Sequence, residues 1–183
     1  MRQILLTYRR LSQSQRTSLG IIAILVAVLL FPTVLNVQKR TRLHEANMYF
    51  LNPPEKAGRG ESFPVELRVK TNGTSINAVQ ASVRFNPLYV EILNLTTEKS
   101  FCSFYLEHTF DNIKGEANIA CGAANPGFQG DSVVVHLNMR AKIPGNTEIS
   151  VFSSSAQALA NTGKGENILK EAPKFNLAIT QLF

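Results

Sequence analysis

The sequence predicts an all-β protein: nine antiparallel strands packed as a two-layer sandwich, preceded by one N-terminal transmembrane helix. Three observations carry this. Apolar and polar residues alternate with period two through much of residues 44–183, the mark of strands that bury one face. Clusters of Gly, Asn, Pro and Asp interrupt the alternation at short intervals. Near the N-terminus stands one uncharged apolar run, LGIIAILVAVLLFPTVL, from Leu19 to Leu35.

That run comes first. At about 1.5 Å per residue it reaches most of a bilayer core of roughly 30 Å. No A-x-A-like cleavage site follows it, so a retained signal anchor over residues 19–37 is expected rather than a cleaved leader. Arg2, Arg9, Arg10 and Arg16 precede the run, and Lys39, Arg40 and Arg42 follow it. With the amino terminus, the balance of positive charge orients the chain. Residues 1–18 are then a short basic cytoplasmic segment, 38–45 a juxtamembrane linker, and 46–183 an extracellular domain. The expected location is the cell membrane, crossed once.

The net charge of +6 is unevenly spread. Residues 1–43 hold seven of the nineteen Lys and Arg and no Asp or Glu, leaving twelve basic and thirteen acidic residues for 44–183. The remaining domain is close to neutral, at −1. The basic excess sits beside the apolar run, where anionic headgroups are its natural partner, so nucleic acid is not an expected partner.

The strands follow in order. Asn47–Leu51 is short. In SFPVELRVK, Phe63, Val65, Leu67 and Val69 alternate with Pro64, Glu66, Arg68 and Lys70. In NAVQASVRF, Val79, Ala81, Val83 and Phe85 alternate with Gln80, Ser82 and Arg84. Tyr89–Leu95, Ser103–Phe110 and Glu116–Cys121 are shorter. In SVVVHLNMRA, Val133, Val135, Leu137, Met139 and Ala141 form the apolar face, and Val134, His136, Asn138 and Arg140 the wet one. Thr147–Phe152, continuing near Ala156, and Lys174–Thr180 complete the nine. Turn signals lie between them: AGRGE, TNGTS, FNP (with Asn86 and Pro87), DNIKG, NPGFQG (with Asn125, Pro126 and Gly127), IPGN and NTGKGEN (with Asn161, Gly163 and Gly165).

The two cysteines, Cys102 and Cys121, flank DNIKG. If that turn joins antiparallel strands, they lie at nearly equal distances on either side, and a disulfide is expected.

Chemistry is sparse. The Gly-Lys pair near residue 164 is not a phosphate-binding loop, because Ala158 stands where its first glycine belongs and Gly165 follows Lys164. Asp111 and Asp131, the domain's only aspartates, start no calcium loop. His44, His108 and His136 are scattered, with no zinc pattern, and His136 reads as a solvated surface histidine. No catalytic residue, metal site or cofactor is expected.

Five motifs occur in a telling order: AGRGESFPV at 57–65, AVQASVRFNPLYVE at 78–91, NPGFQG at 125–130, KIPGNT at 142–147 and SSSAQALANTGKGENIL at 153–169. Together they resemble the bacterial cohesin domain, in the superfamily that also holds cellulose-binding modules of families 2 and 3. The resemblance covers roughly residues 46–181. It implies jelly-roll topology and makes Asn161–Asn167 the turn before the last strand. Asn86 and Thr162 stand where the family usually has Asp, which counts against a metal there.

The resemblance further implies a non-catalytic binding module. Its partner, a dockerin-like or other surface protein, would be held on the sheet formed by the third, fifth, sixth and eighth strands. The outward positions are then Gln80, Ser82 and Arg84 on the third, Glu116 and Asn118 on the sixth, and Ser150 on the eighth. Two alternatives stand beside it. One is a polysaccharide-binding module, disfavoured by the absence of Trp and the presence of only Tyr49, Tyr89 and Tyr105 in the domain, with Phe128 as one candidate contact. The other is a structural envelope subunit that packs through exposed sheet edges.

Overall fold

The computed structural model describes residues 17, 18, 21, 22, 24–26, 28 and 43–181. The chain divides into two compact units, Met1–Arg42 and Leu43–Phe183. In the first, the described residues are helical and exposed. The expected membrane location is corrected here: among the described residues no helix is long and apolar enough to cross a membrane. A crossing asks for about 20 consecutive apolar helical residues, and the described helical positions do not make up such a run. Most of the expected anchor, 19–37, lies outside the described residues, as do 1–16 and 38–42.

The second unit is a sandwich of two sheets. Eleven strands build it: β1 (Asn47–Leu51), β2 (Lys56–Gly58), β3 (Ser62–Lys70), β4 (Ile76–Arg84), β5 (Val90–Thr96), β6 (Phe104–Asp111), β7 (Glu116–Gly122), β8 (Asp131–Ala141), β9 (Gly145–Val151), β10 (Gln157–Ala160) and β11 (Lys174–Thr180). The smaller sheet runs β1-β3-β8-β5, and the larger β2-β11-β9-β4-β7-β6, with β10 pairing β4. Two strands thus exceed the expected nine. β2 comes from the AGRGE segment, where only three residues are extended, and β10 is a separate piece of the expected continuation of the eighth strand. Nor is the sandwich antiparallel throughout, since β2 lies parallel to β11.

The pairings nest. β4 pairs with β7, and outside that pair in sequence β3 pairs with β8. This is the connectivity of a long hairpin rolled over two sheets, a jelly roll.

Alternation explains why these segments form strands. Phe63, Val65, Leu67 and Val69 of β3 are buried, as are Val79, Ala81 and Val83 of β4. Ala117, Ile119 and Cys121 of β7 join Ile149 and Leu177 in the same core. A one-residue slip would turn each row to water, so the register is firmly set. Pro64 is tolerated within β3 because β1 pairs only with Leu67 to Lys70 and Glu66, leaving Pro64 beyond its reach.

The wet-face expectation for Val134 is overturned. In β8, Leu67 faces Val135 and Arg68 faces Val133, so Val134 is an extra, bulged residue. It is fully buried, and its carbonyl accepts hydrogen bonds from Tyr105 Oη (2.6 Å) and Ser100 Oγ (3.2 Å). Alternation by itself assigns Val134 to solvent; the bulge and the covering 100–105 segment bury it.

Cys102 and Cys121 form a disulfide. β6 and β7 make the hairpin around DNIKG, with Asp111 opposite Glu116. Cys121 sits opposite Tyr105, and Cys102 reaches it from the segment leading into β6.

Candidate functional site

The outer face of the larger sheet is assembled from strands remote in sequence. β4 supplies Gln80, Ser82 and Arg84, which point outward because their neighbours Val79, Ala81 and Val83 fill the core. On β7, Glu116 stands opposite Arg84 and Asn118 opposite Ser82. On the other flank, Ser150 of β9 also stands opposite Arg84. Gln80 is flanked by Ala120 of β7 and Gln157 of β10. Directly opposed residues have Cβ atoms roughly 5 Å apart, so all six expected partner-binding positions share one patch.

The patch has an internal order. Ser82 Oγ donates to Asn118 Oδ1 (2.5 Å), and Asn118 Nδ2 donates to Glu116 Oε1 (2.8 Å). Glu116 is drawn along its own strand and makes no ion pair with Arg84 among the described residues. Arg84 instead lies over the ring of Phe152, 3.4 Å from guanidinium carbon to ring centroid. Phe152 is a functional candidate that sequence reasoning missed. The available signal was parity: it follows β9 two residues after Ser150, on the same side.

The patch is flanked on both sides. Toward β6 lie Asp111, Thr109 and Glu107, opposite Glu116, Asn118 and Ala120, and the Phe104 ring covers Gly122, where a side chain would collide with it. Toward β11, Lys174 Nζ pairs with Glu148 (2.9 Å). There an open groove of about 570 Å³ is lined by Glu148, Ser150, Phe152, Lys170, Glu171 and Lys174, among others.

The outer face of the smaller sheet is different. Arg68 pairs with Asp131 (3.1 Å) and Glu66 (3.2 Å), and Tyr49 Oη donates to Asp131 (2.7 Å). Burial, reinforced by Asp131, raises the Tyr49 hydroxyl above its ordinary value. His136 is not the solvated histidine expected: its Nε2 lies 2.9 Å from the Glu98 carbonyl and its Nδ1 3.6 Å from Glu66 Oε1, because the loop after β5 folds across it. Arg68, Glu66, Asp131 and Tyr49 on this face are thus tied to one another.

Several of the turn residues are hydrogen-bonded to neighbouring segments. Asn86 Oδ1 accepts from Leu88 N (3.0 Å), and the Pro87 carbonyl accepts from Lys142 Nζ (2.6 Å). The Pro126 carbonyl, after a cis Asn125–Pro126 bond, accepts from Ser75 Oγ (2.8 Å) and Asn161 Nδ2 (2.7 Å). Gly127 has φ +83, and a Cβ there would lie 2.6 Å from the Ile76 carbonyl. Gly163 and Gly165 also have positive φ, in the loop after β10.

The aromatic residues weighed for sugar stacking are occupied. Phe128 stacks on Phe101 at 4.5 Å, Tyr105 bonds Val134, and the Tyr89 ring packs on Gly145. Among the described residues no group of three or more His, Cys, Asp or Glu is placed to hold a metal.

Comparison with solved structures adds the fold. A cohesin module from a family 33 glycoside hydrolase of Clostridium perfringens superposes with a TM-score of 0.62 at 15% identity, covering 76% of this chain and 99% of that one. The domain has a cohesin-like fold. A cohesin in a type I cohesin–dockerin complex from Clostridium thermocellum matches with a TM-score of 0.59 at 11% identity, over 75% of this chain and 96% of that chain. A non-cellulosomal cohesin from the archaeon Archaeoglobus fulgidus matches at 0.58 and 9% identity, over 74% and 91%. No protein-family model and no curated protein matches the sequence. At these identities the cohesin-like fold is shared while the surface residues are this chain's own.

Proposed function

We propose that the domain is a non-catalytic, cohesin-like protein-binding module that holds a dockerin-like partner on the outer face of its larger sheet. The observation that carries this reading is the convergence of Gln80, Ser82, Arg84, Glu116, Asn118 and Ser150 in one cross-strand patch. Rigid strands fix that patch, so little ordering accompanies binding. Its polar side chains offer donors and acceptors at set spacing, and Phe152 and Phe104 add apolar contact area beside them. Dockerin binding by a cohesin of this fold, as in the Clostridium thermocellum complex, supports the assignment.

The test is a binding measurement with a panel of dockerin modules and the full chain. Binding at micromolar affinity or better, weakened at least tenfold by the paired change Ser82→Ala and Asn118→Ala, is expected. Equal binding by that variant and the parent would remove the face from consideration. Unchanged binding in Tyr49→Phe, on the opposite sheet, is the matching control.

A further inference from the structure

Among the strand arginines, Arg84 is the exception. Arg68 is engaged by Glu66 and Asp131, and Arg140 by Glu91. Arg84 has neither an ion pair nor a side-chain hydrogen bond among the described residues, although Glu116 stands directly opposite it. Its guanidinium is nevertheless held in place, stacked on Phe152. Stacking uses the face of the planar group and leaves its edge, with five N–H donors, open. A planar fork fixed in position and without an acceptor matches a carboxylate, which accepts two parallel bonds from it.

The surroundings agree. Phe152 also lines the adjoining groove, whose charged residues are Glu148, Lys170, Glu171 and Lys174. These four sum to zero, and Glu148 and Lys174 already pair with each other. Adding Arg84 makes +1 on this side of β4; Glu116 on the other side offsets it in sum, but its carboxylate already accepts from Asn118 Nδ2. Apolar area lies beside that charge, in the ring of Phe152.

We propose that the partner presents a carboxylate, from Asp or Glu, to the open edge of Arg84, with an adjacent apolar side chain settling against Phe152. The inference rests on the larger-sheet face being the binding face, and it names the chemistry of the partner there. A neutral amide in place of the carboxylate keeps the shape and loses the charge. Loss of one charge-assisted contact of this kind lowers affinity roughly 10- to 100-fold.

The probe is a library of random-sequence displayed peptides, selected in parallel on the full chain and on Arg84→Glu. Peptides from the parent chain should be enriched in Asp or Glu next to an apolar residue, and those from Arg84→Glu in Lys or Arg. Individual acidic peptides should bind Arg84→Gln roughly 10- to 100-fold more weakly and regain part of the loss on Arg84→Lys, with replacement of the acid by its amide reproducing the defect. Equal thermal midpoints of the variants would confirm that folding is unaffected. Pools of the same charge composition would overturn the proposal. If their amide chemical-shift changes still map to β4, β7 and β9, the binding face stands and only its acidic partner falls. Shifts mapping elsewhere, or no selected peptide at all, would overturn both.

Discussion

The guanidinium of Arg84 sits 3.4 Å above the ring of Phe152, tying the end of β4 to the residue that follows β9. Both groups are partly exposed, Phe152 at 38%, a setting in which such a contact contributes about 0.5–1 kcal/mol. A double-mutant cycle of Arg84→Ala and Phe152→Ala, read by urea unfolding, should return a coupling of that size. Strict additivity of the two changes would mean that the stack does not order the arginine.

The Cys102–Cys121 bond closes a sequence separation of 19 residues. Restricting the unfolded chain by a loop of that length stabilises the fold by about 3 kcal/mol in the chain-entropy account. The double variant Cys102→Ser, Cys121→Ser should lose about that much in urea unfolding. Added reductant should shift the parent toward the variant and leave the variant unmoved; a parent insensitive to reduction would contradict this.

Gly115 has φ +72, and a Cβ there would collide with the Phe85 carbonyl oxygen and lie 2.8 Å from Pro87 Cδ. Gly163 has nearly the same φ, +76, with nothing within 4 Å. The left-handed backbone alone costs a residue with a Cβ about 1–2 kcal/mol. Gly163→Ala should therefore cost about 1 kcal/mol, and Gly115→Ala well over 2 kcal/mol because the Phe85 backbone must also move. Equal costs would show that the loop around Gly115 yields freely.

Burial raises the Tyr105 hydroxyl above its ordinary value of 10.0, with the bond to Ser100 opposing. In this case the folded protein retains a proton that the unfolded chain releases near pH 10. The stability tied to this group is complete below that pH and lost as pH rises through the higher folded value. Tyr105→Phe should cost about 1 kcal/mol at neutral pH, from the lost bond to Val134, and should flatten the alkaline decline. An identical decline in the variant would assign it to other groups, Tyr49 among them.

Much of the architecture was legible in the sequence. The period-two rows of β3, β4 and β8 named their own buried faces, because a strand between water and a core admits one orientation. They also placed Gln80, Ser82 and Arg84 outward. β2 and β10 escaped, since three or four residues carry too little alternation to distinguish strand from turn. Val134 and His136 were misread because a bulge and a covering loop change a residue's surroundings without changing its local pattern.

Sequence by itself determined which side chains face out wherever a strand runs without a bulge, and where glycine turns let the chain reverse. Tertiary structure decided which of those outward residues are neighbours. It set Glu116 and Ser150 on either side of Arg84, gave Glu116 to Asn118, and brought Phe152 beneath the guanidinium. The physical reason is that period two is a property of one strand and is written locally. The order of strands in a sheet follows from how two whole apolar surfaces close on each other, which no short stretch of sequence encodes.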